Sequence, residues 1–157
     1  MDSNIEIKST ELVLFEGADC SFVFEIYKKV WFHYLNQYFD WDETWQKEYV
    51  KNTFDFKHLY ILRRDDRPIG YVEVQIDTCT IFISRLDIIP RYQRSGIGGQ
   101  TLRKINRYSN KINKSISLYS LKKNINAINF YKSHNFVVTD GTDEYLKLVH
   151  GVSIPSI

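Results

Sequence analysis

The sequence predicts a mixed α/β (α+β) fold in a single domain, with a mostly antiparallel central sheet flanked by helices. Three observations carry that prediction. Apolar stretches at 58–64, 69–77 and 80–89 follow one another with only short turns between them, which reads as an antiparallel meander. Helical and strand patterns then interleave from residue 97 to about 134. The chain finally closes on a second pair of strands, so hairpins flank the interleaved part.

Taken in order, "ELVLF" (11–15) is a short strand, and "GADC" looks like the entry to a helix with Asp19 as its cap. From Ser21 to Asn36, residues Phe22, Ile26, Val30 and His33 recur at helical spacing. "WDETWQKEYVKNTF" (41–54) begins with Asp42 placed to cap a second helix, with Trp45, Tyr49 and Val50 on one face. "HLYILRR" and "IGYVEVQID" are strands joined by "DDRP", where Pro68 ends the turn. "TIFISRLDII" is the third strand of the meander. A helix over 97–111, the strand "SISLYS" (115–120) and a helix at about 125–134 follow. "FVVT" and "EYLKLVH", linked at "DGTD", complete the sheet.

Composition sets ordinary bounds. The chain has 157 residues, 43% hydrophobic and 25% charged, enough for one domain with a proper core. No apolar run approaches the ~20 residues that span a bilayer. The start, "MDSNIEIKST", lacks the basic-then-apolar character of a signal peptide. Cys20 and Cys79 sit in no metal-ligand spacing and read as two buried thiols in a reducing cytoplasm rather than a disulfide. The expectation is a cytoplasmic protein without a membrane partner.

Three of the seven glycines, Gly96, Gly98 and Gly99, fall within "RYQRSGIGGQ". Glycine clusters where backbone must approach something closely. Here the order is strand, turn, helix, which aims several backbone N–H groups and a helix dipole at one spot, and phosphate suits both. A Walker loop would need a Gly-Lys-Ser/Thr that is absent, and a Rossmann fingerprint fails because Thr101 stands at its third glycine. What remains is Gln93-x-x-Gly96-x-Gly98 beside Arg91 and Arg94. A turn needed only for tight strand-to-helix packing is the competing reading.

With "LDIIP" before it, this stretch resembles the pyrophosphate-binding signature of the GCN5-related N-acetyltransferase (GNAT) superfamily. A second stretch, "NINAINFYKSHNF", is similar to that family's later motif through Asn124, Ala127, Tyr131 and Phe136. The element order also resembles the family's, over roughly residues 11–150. One departure is Asn135, where the family usually has glycine; Asn tolerates left-handed backbone, so the helix can still end there. The resemblance implies an acetyl-CoA-dependent N-acetyltransferase that moves the acetyl group directly to a primary amine of a small molecule or protein, without a metal.

Charge supports this independently. Between Ile88 and Thr139 there is no Asp or Glu, while Arg91, Arg94, Arg103, Lys104, Arg107, Lys111, Lys114, Lys122, Lys123 and Lys132 fall there. A basic half suits polyanionic coenzyme A, and an acidic half suits a cationic amine. Solvated surface charge is the alternative for most of the lysines singly. Nucleic acid is not the expected partner, because aromatic residues are not interleaved with the bases as a single-strand platform requires.

What the resemblance implies for the site is specific. Backbone of Gln93, Arg94, Ser95, Gly96, Ile97, Gly98 and Gly99 would hold the pyrophosphate. The N–H of Ile88 would bond the thioester carbonyl, and Asn124 would contact the pantetheine arm or orient a water. Strand alternation sets Leu86 and Ile88 on one face as core and Asp87 on the other. Tyr131 is the candidate general acid, since a tyrosine of ordinary pKa is protonated at neutral pH, and packing is its alternative duty. Glu73 and Asp87 are the candidate general bases, directly or through water, and either also reads as a surface residue. His33, His58, His134 and His150 lack metal spacing and read as structural.

Eleven aromatics lie between Trp31 and Tyr60, interspersed with Asp40, Asp42, Glu43, Glu48 and Asp55. Some are core, but Trp41, Asp42 and Trp45 are candidates for binding the amine by cation–π and ionic contacts. An aromatic patch also suits a homodimer interface. A second reading of the whole chain is a non-catalytic coenzyme A-binding sensor or scaffold module, and the joint presence of Tyr131, Asn124 and the glycine loop favours the enzyme.

Overall fold

The structure, a computed structural model, describes residues 10–17 and 20–151. Its elements run β1 (Glu11–Leu14), α1 (Ser21–Leu35), α2 (Glu43–Thr53), β2 (Leu59–Arg64), β3 (Arg67–Ile76), β4 (Thr80–Ile88), α3 (Ile97–Lys111), β5 (Ser115–Leu121), α4 (Ile125–Ser133), β6 (Val137–Gly141) and β7 (Tyr145–His150). Short 3-10 turns at Phe56–His58 and Pro90–Tyr92 precede β2 and α3. The seven strands order as β1-β2-β3-β4-β5-β7-β6. Only β4 and β5 pair in parallel, as a strand–helix–strand crossover through α3 requires. The mixed, mostly antiparallel α/β architecture expected from the sequence is the one found.

The chain divides into two compact units. The first takes the residues up to Glu73 together with Arg85–Thr101; the second takes Val74–Ser84 and the chain from Leu102 onward.

In the first unit, α1 and α2 bury Val23, Phe24, Ile26, Tyr27 and Val50 against Leu59, Ile61 and Tyr71 of the sheet. The buried face of α1 is thus centred on Val23 and Ile26, with Val30 half-buried and His33 exposed. Helical periodicity was right in kind, but two aromatics, Phe24 and Tyr27, rotate the core-facing stripe toward themselves. Asp19, expected as the α1 cap, lies outside the described residues; Cys20 holds the N-cap position without a side-chain bond. Asp42 does cap α2, accepting from the Trp45 amide at 3.0 Å.

The β2–β3 turn is tighter than expected. Asp65 and Asp66 both adopt positive φ (53° and 60°), the conformation that matches strand twist in a two-residue hairpin. Pro68 therefore falls inside β3 opposite Arg63, beside a register shift at Leu62/Arg63, rather than ending the loop. Farther along, Gly70 is required by packing: a Cβ there would collide with the Asp87 carbonyl oxygen of β4. The two strands approach closely at the level of Asp87.

In the second unit, Ile81 and Ile83 of β4 lie beside Ile116 and Leu118 of β5 in register, and all four are buried. Leu102 and Ile105 of α3, Ile128 of α4, and Leu148 and Val149 of β7 are also buried. Helix α4 ends in a Schellman motif. Asn135 takes φ 67°, its amide bonds Lys132 O at 3.1 Å, and the Phe136 amide reaches Tyr131 O at 3.1 Å. The left-handed role foreseen for Asn135 is the one it fills. Cys79, expected buried, is exposed in the three-residue β3–β4 turn, where no core reaches; Cys20 is half-buried, and both are free.

Candidate active site

The glycine stretch forms what the strand–turn–helix order promised. After β4 the chain makes a 3-10 turn, then bends through Arg94 (φ 58°) and Gly96 (φ 84°) into α3. A Cβ on Gly96 would meet nothing within 4 Å, so its glycine serves backbone conformation and not space. The first helical bond is donated by Gln100 to Gly96 O at 3.0 Å. The amides of Ile97, Gly98 and Gly99 precede it and have no intrahelical acceptor. They lie at the positive end of the helix dipole, where a helix favours negative charge.

The side chains around this loop hold its shape. Gln93 Nε2 donates to Ile88 O at 2.8 Å, which ties the loop to the end of β4. Ser95 Oγ donates to Tyr92 O at 2.5 Å. Ile97 is buried and anchors the first turn of α3. Gln100 accepts from both the amide and the hydroxyl of Thr10, at 3.1 and 2.8 Å. Among the described residues, no member of the loop is acidic.

The two candidate carboxylates, Glu73 and Asp87, belong to the first unit as well, and they differ. Glu73 is almost sealed, at 3% exposure. Its Oε2 accepts from Arg85 Nε at 3.1 Å and from the Asp55 amide at 3.3 Å. The Arg85 guanidinium lies over the Phe54 ring, 4.1 Å from its centroid, and 6.0 Å from that of Tyr49. Glu73 is therefore neutralised and immobilised in an ion pair walled by aromatics.

Asp87 has no such partner. Its Oδ2 accepts from Trp31 Nε1 at 2.9 Å and from Tyr71 Oη at 2.6 Å. The residue is only partly buried, and no donor among the described residues bonds Oδ1. Burial pushes the Asp87 carboxyl up from the usual carboxylate range, against the opposing pull of the Tyr71 and Trp31 hydrogen bonds and the Arg85 charge. Burial likewise pushes Tyr71, which is fully buried, well above an ordinary phenol; the neighbouring Asp87 charge and its own donated bond add to this. Tyr27 is pushed up to about 12, by burial first and then by Tyr49 and Asp87. Tyr71 and Tyr27 thus stay protonated at neutral pH.

Strand alternation placed Asp87 on the face opposite Leu86 and Ile88, as expected, and set Arg85 beside it two residues away. Leu86 and Ile88 are half-buried rather than deep core. Trp31, Tyr71, Arg85, Tyr49 and Phe54 were not among the sequence candidates. The only local signal was the i, i+2 spacing of Tyr71 with Glu73 and of Arg85 with Asp87.

The candidate acceptor residues have local duties. Trp41 Nε1 donates to Glu43 Oε2 at 2.7 Å, and its ring packs on Phe32 and Tyr27. Glu43 also takes Lys28 at 3.1 Å, and the Trp41 and Lys28 bonds hold its carboxyl below the usual range. Asp42 is occupied as the α2 cap. Trp45 is the one with an open ring: 59% exposed, it stacks on Tyr49 with centroids 5.6 Å apart and planes at 10°.

In the second unit, Asn124 caps α4, accepting from the Ala127 amide at 3.2 Å. Tyr131 is half-buried on α4, its ring edge-on to Phe130 and Phe136 at 5.2 and 5.5 Å. The contact with Phe136 is the apolar pair that accompanies a Schellman motif. Among the described residues, no three His, Cys, Asp or Glu side chains gather as a metal site. No helix there is long and apolar enough to cross a membrane.

Comparison with known proteins bears on this arrangement. No curated protein sequence matches the chain. The PaiA N-acetyltransferase of Thermoplasma acidophilum, solved in complex with coenzyme A, superposes with a TM-score of 0.74 at 17% identity, covering 90% of this chain and 98% of that one. The ribosomal-protein-S18-alanine N-acetyltransferase of Escherichia coli gives 0.67 at 16% identity, with 94% and 99% covered. Naa50 of Arabidopsis thaliana, bound to the bisubstrate analogue CoA-Ac-MVNAL, gives 0.66 at 17%, with 92% and 99% covered. Identities this low establish a shared fold. The acetyltransferase (GNAT) family profile, however, matches residues 21–136, from the start of α1 to the end of the α4 motif. The chain belongs to the acetyltransferase (GNAT) family and is by class an N-acetyltransferase.

Proposed function

We propose that this protein transfers an acetyl group from acetyl-CoA to a primary amine of a small molecule or protein, with Asp87 as the proton acceptor for the amine. The observation that carries the reading is the loop at the start of α3. Two left-handed residues, one of them Gly96 with open space where a Cβ would stand, lead into three helix-start amides, in a stretch of chain free of acids. Those residues fit a pyrophosphate.

Acetyl-CoA supplies the acetyl group as a thioester. The amides of residues 94–99 hold its pyrophosphate, and the Ile88 N–H bonds the thioester oxygen as charge builds there. Asp87 Oδ1 takes the proton of the incoming ammonium, directly or through water, because a carboxyl raised by burial is a better base than an ordinary aspartate. Glu73 is set aside from this role by its Arg85 pair. Tyr131 Oη gives its proton to the departing sulfur. Trp45 offers the acceptor an aromatic face. Two free thiols are compatible with a cytoplasmic location.

One observation favours the alternative, a non-catalytic coenzyme A-binding module. Asn124 and Tyr131 each have a local structural duty, as helix cap and as Schellman partner, that explains them without catalysis. Calorimetric titration with acetyl-CoA, repeated on Gly96→Glu, tests the loop; binding should be micromolar in the wild type and lost in the variant. Thiol release with a panel of amines then tests the chemistry. Tyr131→Phe separates the two readings: turnover should collapse while coenzyme binding stays. Wild-type protein that ignores acetyl-CoA would sink both.

A further inference from the structure

Trp31 comes from the third turn of α1 and Tyr71 from the middle of β3, yet both donate to the same atom, Asp87 Oδ2. Two donors on one oxygen leave the carboxylate with unequal ends. Oδ2 takes both bonds; Oδ1 is the end without a donor among the described residues. The clamp is rigid on both sides. Tyr71 is fully buried and packs edge-on to Phe54 at 5.5 Å. The Trp31 indole is braced edge-on by Tyr34 at 5.9 Å. Gly70 allows β3 to press against the Asp87 carbonyl itself, so the backbone beneath the carboxylate is also held.

We infer that Trp31 and Tyr71 are a pair of positioning donors, which fix one oxygen of Asp87 so that the other is presented as the proton acceptor. The inference rests on the acetyl-transfer reading for what Oδ1 accepts from, but the clamp can be tested apart from it. Hydrogen bonds donated to a carboxylate favour its ionised form and oppose the effect of burial. The clamp therefore also sets the pH at which Asp87 becomes a base. Among the described residues, the charged and titratable groups around Asp87 come from α1, β3 and β4. From α1 there is Tyr27, and from β3 Tyr71 and the Arg85-bound Glu73. From β4 there is Arg85, which in turn contacts Tyr49 of α2. Tyr27 and Tyr71 stay neutral and Glu73 stays paired, so what opposes burial at Asp87 is first the two donors and then Arg85.

The test is a carbon-13 carboxyl NMR titration of the wild type, Trp31→Phe and Tyr71→Phe, with Asp87→Asn used to assign the resonance. Each donor removed should move the Asp87 midpoint upward by about one pH unit, since a bond to a charged group is worth roughly that much. The acid limb of kcat/KM against pH should move by the same amount. Tyr71→Phe deletes a single hydroxyl and keeps the ring, so it carries the test if Trp31→Phe folds poorly. An Asp87 midpoint unmoved in well-folded Tyr71→Phe would overturn the inference, whatever the activity. A midpoint that moves in a protein without acetyl transfer would uphold the clamp and remove the proposed reaction instead.

Discussion

The loop at 93–99 and the carboxylate cluster around Asp87 belong to the same unit, yet they are built by opposite means. The loop is made of backbone from one continuous stretch. Its key angles are those of Arg94 and Gly96, and its donors are amides that any sequence with those angles would provide. The cluster is made of side chains from α1, α2, β3 and β4, brought together from residues 31 to 87. Its properties come from burial: one carboxylate is paired, and the other, pushed up by burial, has no donor on Oδ1 among the described residues. Backbone sites tolerate side-chain change and resist changes in φ. Side-chain sites behave the other way round.

The sharpest test of that contrast is Asp87→Asn. Activity should fall by ~10²–10⁴ in kcat/KM, the usual worth of a positioned proton acceptor. Thermal stability should not fall with it. A group whose folded pKa is raised stabilises fully only below its unfolded value of about 3.9, and that contribution is lost as pH rises through the folded value. At neutral pH the ionised Asp87 is therefore a cost, which the amide removes. A variant that melts lower and keeps its activity would make Asp87 a structural residue.

Next in size is Glu73→Gln, which leaves the Arg85 guanidinium without its anion between Phe54 and Tyr49. Unpartnering a buried pair should cost about 3 kcal/mol in chemical denaturation. A loss under about 1 kcal/mol would mean that the aromatics hold Arg85 unaided.

The loop should answer differently. Gly96→Ala introduces a methyl that touches nothing, so its whole effect is the ~1–2 kcal/mol strain of a left-handed L-residue. If that strain is relieved by moving the loop, acetyl-CoA affinity drops roughly tenfold in calorimetry with little change in melting. Unaltered affinity would argue that the amides of residues 94–99 hold no phosphate.

The smallest effect is expected at another backbone-defined point, the end of α4. Asn135→Gly should raise stability by up to about 1 kcal/mol, because φ 67° is strained for Asn and free for Gly. A destabilised variant would show that the Asn135 side chain contributes something its geometry does not reveal.

Much of the fold was legible because it is local. The glycine turn, the Asp42 cap, the α4 end at Asn135 and the strand alternation that separates Asp87 from Leu86 all follow from neighbours within a few residues. Errors arose where a residue's environment is set from elsewhere in the chain. The core stripe of α1 turned toward Phe24 and Tyr27 because β2 and β3 supply their partners. Pro68 entered a strand because Asp65 and Asp66 close a shorter turn than "DDRP" suggests. Trp41 and Asp42 proved to be engaged within α1 and α2, while Trp45 kept an open face.

By itself the sequence determined the order of elements, the glycine turn between β4 and α3 and the family, since each rests on short-range pattern. Which of two candidate carboxylates is ion-paired, and which keeps an oxygen without a donor among the described residues, was decided only by tertiary structure. The reason is physical: a carboxylate's proton affinity depends on burial and on donors such as Trp31, Tyr71 and Arg85. Trp31 and Tyr71 reach Asp87 from 56 and 16 residues away in the chain.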